Sequence, residues 1–266
     1  MDEAWLVDAA AWAAVQPYRA APGAVVADTG TVRWYRTPIG YEGLNGVLWA
    51  RLDGHDLEAA VEAALAPFRE TGVPMQWHLG PTSSPPSLPR ALEAAGLARQ
   101  EEEPGMVADL AAVGPPAAAP PGLEVRPVRD EDGLAAWCRV WAGLAPGTEV
   151  GGLVEVRAPK ALGRDPPVPH LLAVLDGIPV GCAAVLVGDG RGRRPPAAWV
   201  EDVVTAAAVR RRGIGASVTR ACLDLARSRG LDRAALTASP DGRRIYRRLG
   251  FSERCRVVRY RYPPAD

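Results

Sequence analysis

Residues 199–217, WVEDVVTAAAVRRRGIGAS, constrain the fold of this chain more than any other stretch. Val200, Val203 and Val204 are β-branched and suit a strand, whereas Ile214, Val218, Ala221, Cys222 and Leu225 recur at helical spacing. A strand therefore feeds a helix through the Arg/Gly turn Arg210 to Gly215. The first N–H groups of a helix lack intrahelical partners and sit at the positive end of its dipole, so a helix mouth of this kind suits a phosphate group. Glycines admit close backbone approach, arginines add charge, and successive N–H groups in a turn can form an anion-binding nest.

Neither GxGxxG nor GxxxxGK[ST] occurs here, which sets aside the dinucleotide and nucleoside-triphosphate cradles. The spacing Arg-x-x-Gly-x-Gly is a different fingerprint, and a second motif follows it. Residues 234–238 read as a short strand, 241–249 as a helix, and Gly250-Phe251 as its stop and the start of a last strand pair. That helix ends in Tyr246-Arg247-Arg248-Leu249-Gly250-Phe251. In this order and at these offsets the two motifs resemble the GNAT (GCN5-related N-acetyltransferase) superfamily, whose Arg/Gly loop holds the pyrophosphate of an acyl-CoA. The resemblance covers residues 123–262.

Length and composition agree with one large or two ordinary domains: 266 residues, 48% hydrophobic and 23% charged. The Pro/Ala-rich run VGPPAAAPPG, residues 113–122, reads as an extended spacer between domains at 1–112 and 123–266. In the second domain, residues 123–127 read as a strand, 130–144 as a helix, and 145–169 as an irregular excursion with one short apolar piece. Residues 170–175 and 180–187 pair as a hairpin around Asp176-Gly177, and the loop GDGRGRRPP leads into the strand carrying Glu201.

The first domain reads as a worn copy of the same unit. Strands are expected at 46–52, 74–79 and 106–110, and helices at 56–70 and 88–95. Gly72 registers with Gly230 at an offset of 158, and Gly96 with Gly250 at 154, the difference falling near Ser83 to Pro86. At the first offset Arg210 to Gly215 correspond to Leu52 to Leu57, which contain two aspartates, and at the second Tyr246 corresponds to Leu92. A carboxylate repels a pyrophosphate and leucine has no proton to give. The fold class expected is α/β (α+β), two GNAT-like domains, each a mixed, mostly antiparallel sheet flanked by helices, with a degenerate first copy and an intact second one.

The resemblance implies site residues in the second copy. The backbone of Val203, Val204 and Thr205 would pair with the pantetheine arm, and Arg210, Arg211, Arg212, Gly213, Ile214, Gly215 and Ala216 would surround the pyrophosphate, with Arg211 also readable as a solvent-facing residue. Glu201 and Asp202 are candidates for the base that takes a proton from the attacking amine. Adjacent on a strand, they are expected to face opposite sides, so that only one, Glu201 by preference, serves the cleft; capping a loop, or pairing with an arginine of the basic C-terminal segment, is the other reading. Tyr246 resembles the general acid that protonates the departing thiolate, a phenol with a pKa near 10 being protonated at neutral pH; a packed aromatic is the alternative. Ser239 stands where many relatives carry an asparagine that holds the pantetheine. Trp137 and Trp141, one helical turn apart, fit either core packing or the acceptor border.

These residues point to an N-acetyltransferase that uses acetyl-CoA as acyl donor, transfers directly to a small-molecule or peptide amine and needs no metal. A non-catalytic acyl-CoA-binding regulator or scaffold is the alternative. Net charge is zero, no apolar run of membrane length occurs, and four cysteines lie far apart without a zinc spacing, so neither nucleic acid nor membrane is expected as a partner. A monomer or homodimer in a reducing cytoplasm is expected. Lysine occurs once, at Lys160, among 31 basic residues, an imbalance read as a matter of genome composition.

Overall fold

The computed structural model describes residues 3–115, 118–188 and 196–262. Most of the Arg/Gly/Pro loop expected before Glu201 lies outside them. The first half of the chain runs α1 (Trp5–Val15), a 3₁₀ turn (Gln16–Ala20), β1 (Val25–Asp28), β2 (Val32–Arg36), β3 (Gly46–Ala50), α2 (Leu57–Arg69), β4 (Met75–Leu79), α3 (Leu88–Ala94) and β5 (Ala98–Asp109). The second half runs β6 (Leu123–Pro127), α4 (Glu131–Trp141), α5 (Val150–Ala161), β7 (His170–Leu175), β8 (Ile178–Leu186), β9 (Ala198–Thr205), α6 (Ile214–Ser228), β10 (Arg233–Thr237), α7 (Pro240–Arg248) and β11 (Ser252–Tyr262).

Local chemistry starts and stops these helices. Asp56 accepts from Glu58 N and Ala59 N ahead of α2, Asp130 from Gly133 N ahead of α4, and Ser239 from Gly242 N ahead of α7. The ends of α3 and α7 are closed in the same way. Leu97 N donates to Leu92 O and Gly96 N to Glu93 O; Phe251 N donates to Tyr246 O and Gly250 N to Arg247 O. Both caps need a left-handed residue, supplied by Gly96 at φ 87° and Gly250 at φ 95°. The offset of 154 between the copies is thus a repeat of backbone geometry as well as of sequence.

The strands form one mixed, mostly antiparallel sheet in the order β1-β2-β3-β4-β11-β5-β10-β9-β8-β7-β6. Among the described strands, only β3 with β4 and β9 with β10 are parallel. The last strands of the two halves are exchanged. β5 lies beside β10, with Ala108 opposite Ala234, and β11 lies beside β4, with Tyr260 opposite Trp77. The cores are exchanged with them: Met106, Ala108 and Leu110 pack among α6 and β8–β10, while Tyr260 packs among α2, α3 and β4. On the other face of the sheet, Leu6, Val7 and Tyr18 share a core with Trp137, Leu153 and Val156.

Three expectations about elements change. The excursion at 145–169 contains α5, started by the Glu149 carboxylate, which accepts from Gly151 N and Gly152 N. The strand expected at 106–110 begins at Ala98, and the expected final strand pair is a single strand, β11, whose partners β4 and β5 belong to the first half. A long edge offered by β5 replaces a local hairpin partner. The end of the first half is held to α6, where Arg227 donates to the Leu110 and Val113 carbonyls and Arg220 to that of Gly114.

Candidate functional site

β9 and β10 touch only through Ala198 with Ala234 and Trp199 with Ala235, and then diverge. From Val200 to Thr205, β9 pairs with β8 alone among the described residues. Val203, Val204 and Thr205 therefore present one backbone edge to the gap. At the end of β9 the chain turns into the arginine loop, where Arg211 at φ 61° and Gly213 at φ 87° are both left-handed. Gly213 is the N-cap of α6 and has no side chain to satisfy its first N–H groups. Arg210, Arg211, Arg212 and Gly213 are exposed, and Arg210 Nε is held 3.2 Å from Thr205 O. Gly215 and Ala216 are half-buried in the first turn of α6, whereas the Ile214 side chain is 1% exposed and packs under the helix, so only its backbone can face an anion. A groove of about 500 Å³ beside the loop is lined by Ala136, Arg139, Val140, Val204, Thr205 and Arg210.

The two acidic residues lie on the same side of the strand, not on opposite sides. Glu201 pairs with Ala184 and Val204 with Cys182, so Asp202 and Val203 together face the single residue Ala183. This is a β-bulge, and Asp202 takes φ 57° to make it. The packing records the break in alternation: Trp199 and Val204 enter one core, Val200 and Val203 the other. Both carboxylates turn toward α4 and α5. Asp202 accepts from Trp141 Nε1 at 2.7 Å and from Arg157 Nη1 at 2.8 Å, and Glu201 accepts from Lys160 Nζ at 2.6 Å.

Exposure is uneven across these pairs. The Arg157 and Lys160 side chains are 0% and 1% exposed, while Asp202 and Glu201 are 19% and 18% exposed, so an incoming group meets carboxylate oxygens first. Burial pushes the Glu201 carboxyl above its ordinary value against the opposing pull of Lys160, with the Asp202 charge adding to the rise. Burial also acts to raise Asp202, but Arg157 and Lys160 outweigh it and hold that carboxyl below its ordinary value. The two acids are thereby differentiated: Glu201 is the better proton acceptor and Asp202 the more persistent anion.

Aromatic rings enclose the pairs. The Arg157 guanidinium lies 4.6 Å from the centre of the Trp137 ring and 4.8 Å from that of Trp141. Trp137 Nε1 donates to Ala183 O at 3.0 Å. The two tryptophans are core residues and also walls of the charged site. From the first half, Tyr41 meets Trp141 edge to face at 5.3 Å, and the Tyr18 ring lies 4.5 Å from Lys160 Nζ.

Tyr246 sits on α7 with its ring 5.9 Å from that of Phe251 and 8% of its surface exposed. Burial pushes its phenol well up, with Cys222 and Glu103 adding to the rise, so the proton is retained at neutral pH. Glu103 is brought there by the exchanged strand β5, where it pairs with Arg259 at 2.6 Å. The Ser239 oxygen is engaged as the α7 cap, 3.2 Å from Gly242 N.

Arg157, Lys160 and Tyr18 were not singled out from the sequence. The signal for the first two was available, since Leu153, Val156, Arg157 and Lys160 share a helical face, placing two cations in an apolar stripe. The third had none, because Tyr18 reaches Lys160 across 142 residues of chain.

In the first copy the corresponding places are closed. Gly46 pairs with Gln76 as Ala198 does with Ala234, positions 30 and 36 residues apart, so the loop ahead of α2 is shorter than that ahead of α6. The helix mouths still correspond, N-cap Asp56 of α2 to N-cap Gly213 of α6, within one residue of the expected pairing of Leu52–Leu57 with the arginine loop. The gap between β3 and β4 is filled by Ser84, whose N donates to Ala50 O at 3.0 Å and whose O accepts from Leu52 N at 2.9 Å. The α2 mouth is occupied by the Asp56 carboxylate, and Leu92 is fully buried.

Residues 141–251 match the Acetyltransferase (GNAT) family. The chain carries a GNAT domain. The match begins at the last residue of α4 and ends at Phe251, so it takes in the bulge, the arginine loop and Tyr246. Solved structures resemble the whole chain in fold. A GCN5-related N-acetyltransferase from Kribbella flavida is 22% identical with a TM-score of 0.73, covering 100% of this chain and 97% of that one. One from Sphaerobacter thermophilus is 17% identical at 0.62, covering 100% and 93%. A tandem GNAT protein from the clavulanic acid biosynthesis pathway is 18% identical at 0.56, covering 98% and 95%. A comparison with curated proteins finds no match. Among the described residues, no helix is long and apolar enough to cross a membrane.

Proposed function

We propose that the protein is an acyl-CoA-dependent N-acyltransferase that moves acetyl from acetyl-CoA to a primary amine by direct attack in a ternary complex. One observation carries this reading: β9 parts from β10 where its bulge turns Glu201 and Asp202 inward, and the same strand ends at an uncapped, arginine-flanked helix mouth. These residues fit an acyl-CoA. The N–H groups of residues 213–216 and the Arg210 and Arg212 side chains would hold the pyrophosphate, and the free edge of Val203 to Thr205 would hold the pantetheine amides. A bound acyl-CoA supplies an acyl group activated as a thioester.

The other steps belong to side chains of this chain. An alkyl ammonium must lose a proton before its nitrogen can attack, at a cost of roughly 4–5 kcal/mol at neutral pH. Glu201 takes that proton through its exposed oxygen, and the nitrogen forms a bond to the thioester carbonyl carbon. As the carbon–sulfur bond breaks, Tyr246 gives its phenolic proton to the sulfur, and the nitrogen, now cationic, releases its second proton to water, from which the phenolate is reprotonated. Asp202, kept anionic by Arg157, favours an acceptor that arrives as a cation. The first copy, closed by Ser84 and Asp56, binds no acyl-CoA, and the spacer at 113–122 divides the copies.

The reading is tested with acetyl-CoA and a panel of small and peptide amines. Acetyl-CoA at about a hundred times its dissociation constant stabilises the fold by roughly 2.7 kcal/mol. Arg210→Glu removes that shift, whereas Tyr246→Phe keeps it and slows thiol release. No shift with any acyl-CoA overturns the reading, and binding without transfer to any amine points to an acyl-CoA-responsive regulator.

A further inference from the structure

The buried ion pairs join the two halves of the chain. The Lys160 Nζ, on the chain's one lysine, lies 2.6 Å from Glu201 Oε1 and 3.4 Å from Tyr18 Oη. Its position 4.5 Å from the centre of the Tyr18 ring adds a cation–π contact. Tyr18 is itself fixed: it is 3% exposed and stacks on Tyr35 at 5.8 Å with the rings 4° from parallel. The Tyr35 hydroxyl in turn donates to Gly43 O at 3.0 Å. The ammonium thus has a carboxylate of the second half on one side and an anchored aromatic stack of the first half on the other.

We propose that Tyr18 is a positioning residue for Glu201: by holding the Lys160 ammonium against Glu201 Oε1, the first half of the chain sets the proton affinity of the base in the second. The proposal rests on the N-acyltransferase reading only in naming Glu201 a base; the linkage of Tyr18, Lys160 and Glu201 does not depend on it. The charged and titratable groups around the pair are Arg157 on α5, Asp202 on β9, Tyr18 and Tyr35 from the first half, and His170 on β7. Burial and Asp202 raise the Glu201 carboxyl; Lys160, then Arg157, oppose them. A loosened Lys160 removes the larger opposing charge, so loss of Tyr18 moves the titration of Glu201 to higher pH. Arg157 is committed to Asp202 at 2.8 Å and cannot take over the role.

Because lysine occurs once, the full chain grown with ¹³C,¹⁵N-lysine gives a single ammonium resonance, a direct probe of this pair. Followed against pH without substrate, that resonance shows an inflection as Glu201 titrates, and Glu201→Gln abolishes it. Tyr18→Leu moves the inflection up by about one pH unit, the scale of a neighbouring charge. Tyr18→Phe keeps the ring, loses the hydroxyl and moves it less in the same direction. If the leucine variant does not fold, the phenylalanine variant decides. An inflection unmoved in the folded variants overturns the proposal, as does one that survives Glu201→Gln. The outcome is separable from that of the function assay, since failure to acylate any amine leaves this titration intact. In an active enzyme the acid limb of kcat/KM moves with the resonance.

Discussion

A methyl group placed on Gly242 would lie 2.7 Å from Cε2 of Tyr246, closer than real side chains approach. The two residues are one turn apart on α7, and the absent side chain is the space the ring occupies. Helix propensity alone favours alanine over glycine by about 1 kcal/mol in a helix interior. The ring must move to admit the methyl, and an aromatic ring packed on Phe251 moves only as a unit. Gly242→Ala is therefore expected to leave acetyl-CoA binding nearly unchanged while lowering kcat about tenfold, a fraction of the 10² or more that a positioned general acid contributes. Steady-state rates with a thermal-shift titration on the same sample check it; an unchanged kcat would remove Tyr246 from the chemistry.

The Arg157–Asp202 pair gives a stability prediction. Asp202→Asn leaves a guanidinium with 0% exposure without its counter-ion and is expected to cost about 3 kcal/mol or more. Replacing both partners, Arg157→Met with Asp202→Asn, removes the buried charge along with its counter-ion, keeps an acceptor for Trp141 Nε1 and a residue type that tolerates φ 57°, and is expected to cost much less. Denaturant melts of the single and double variants read the difference. A double variant no better than Asp202→Asn would show that the pair contributes more than charge satisfaction.

The same pair sets a pH dependence. The Asp202 carboxyl is held below its ordinary value of 3.8 in the fold, so the stability it contributes is present above that value and is lost as pH falls through the lower, folded value. Glu201 has the opposite sign: raised above 4.5, it contributes stability below that value that is lost as pH rises through the folded one. Wild-type stability should therefore fall below about pH 4 more steeply than that of the double variant. Melts from pH 2 to 6 test this, and equal slopes would refute it.

Much of the second copy could be read from local sequence, because its elements are fixed by local chemistry. The valines of β9, the glycine mouth of α6 and the Schellman cap at Gly250 each announce themselves within a few residues. The two acids could not be placed, since alternation along a strand holds only where pairing is regular, and nothing in Val-Glu-Asp-Val-Val shows that Asp202 adopts a left-handed conformation. Helix α5 was hidden by Pro159 and two glycines in its first turn, which lower helix propensity yet are overridden by burial of Leu153 and Val156. The exchange of β5 and β11 was not legible at all. The pairings join residues far apart in the chain, Ala108 with Ala234 and Trp77 with Tyr260, and no local pattern in either strand names so distant a partner.

One acyl-CoA per chain is the expected stoichiometry, although the fold provides two parallel strand pairs that splay. In the second copy the gap past Trp199 and Ala235 is open, and Gly213 leaves the helix mouth unfilled. In the first, Ser84 closes the gap with two backbone hydrogen bonds and Asp56 answers the N–H groups of Glu58 and Ala59 with its own carboxylate. A pyrophosphate would have to displace that carboxylate and break the Ser84 bridge, with no arginine in the loop 52–57 to offset either loss. Calorimetric titration with acetyl-CoA should give a single site, and Arg210→Glu should abolish all binding heat. A second site that survives Arg210→Glu would place a donor in the first copy and overturn its reading as silent.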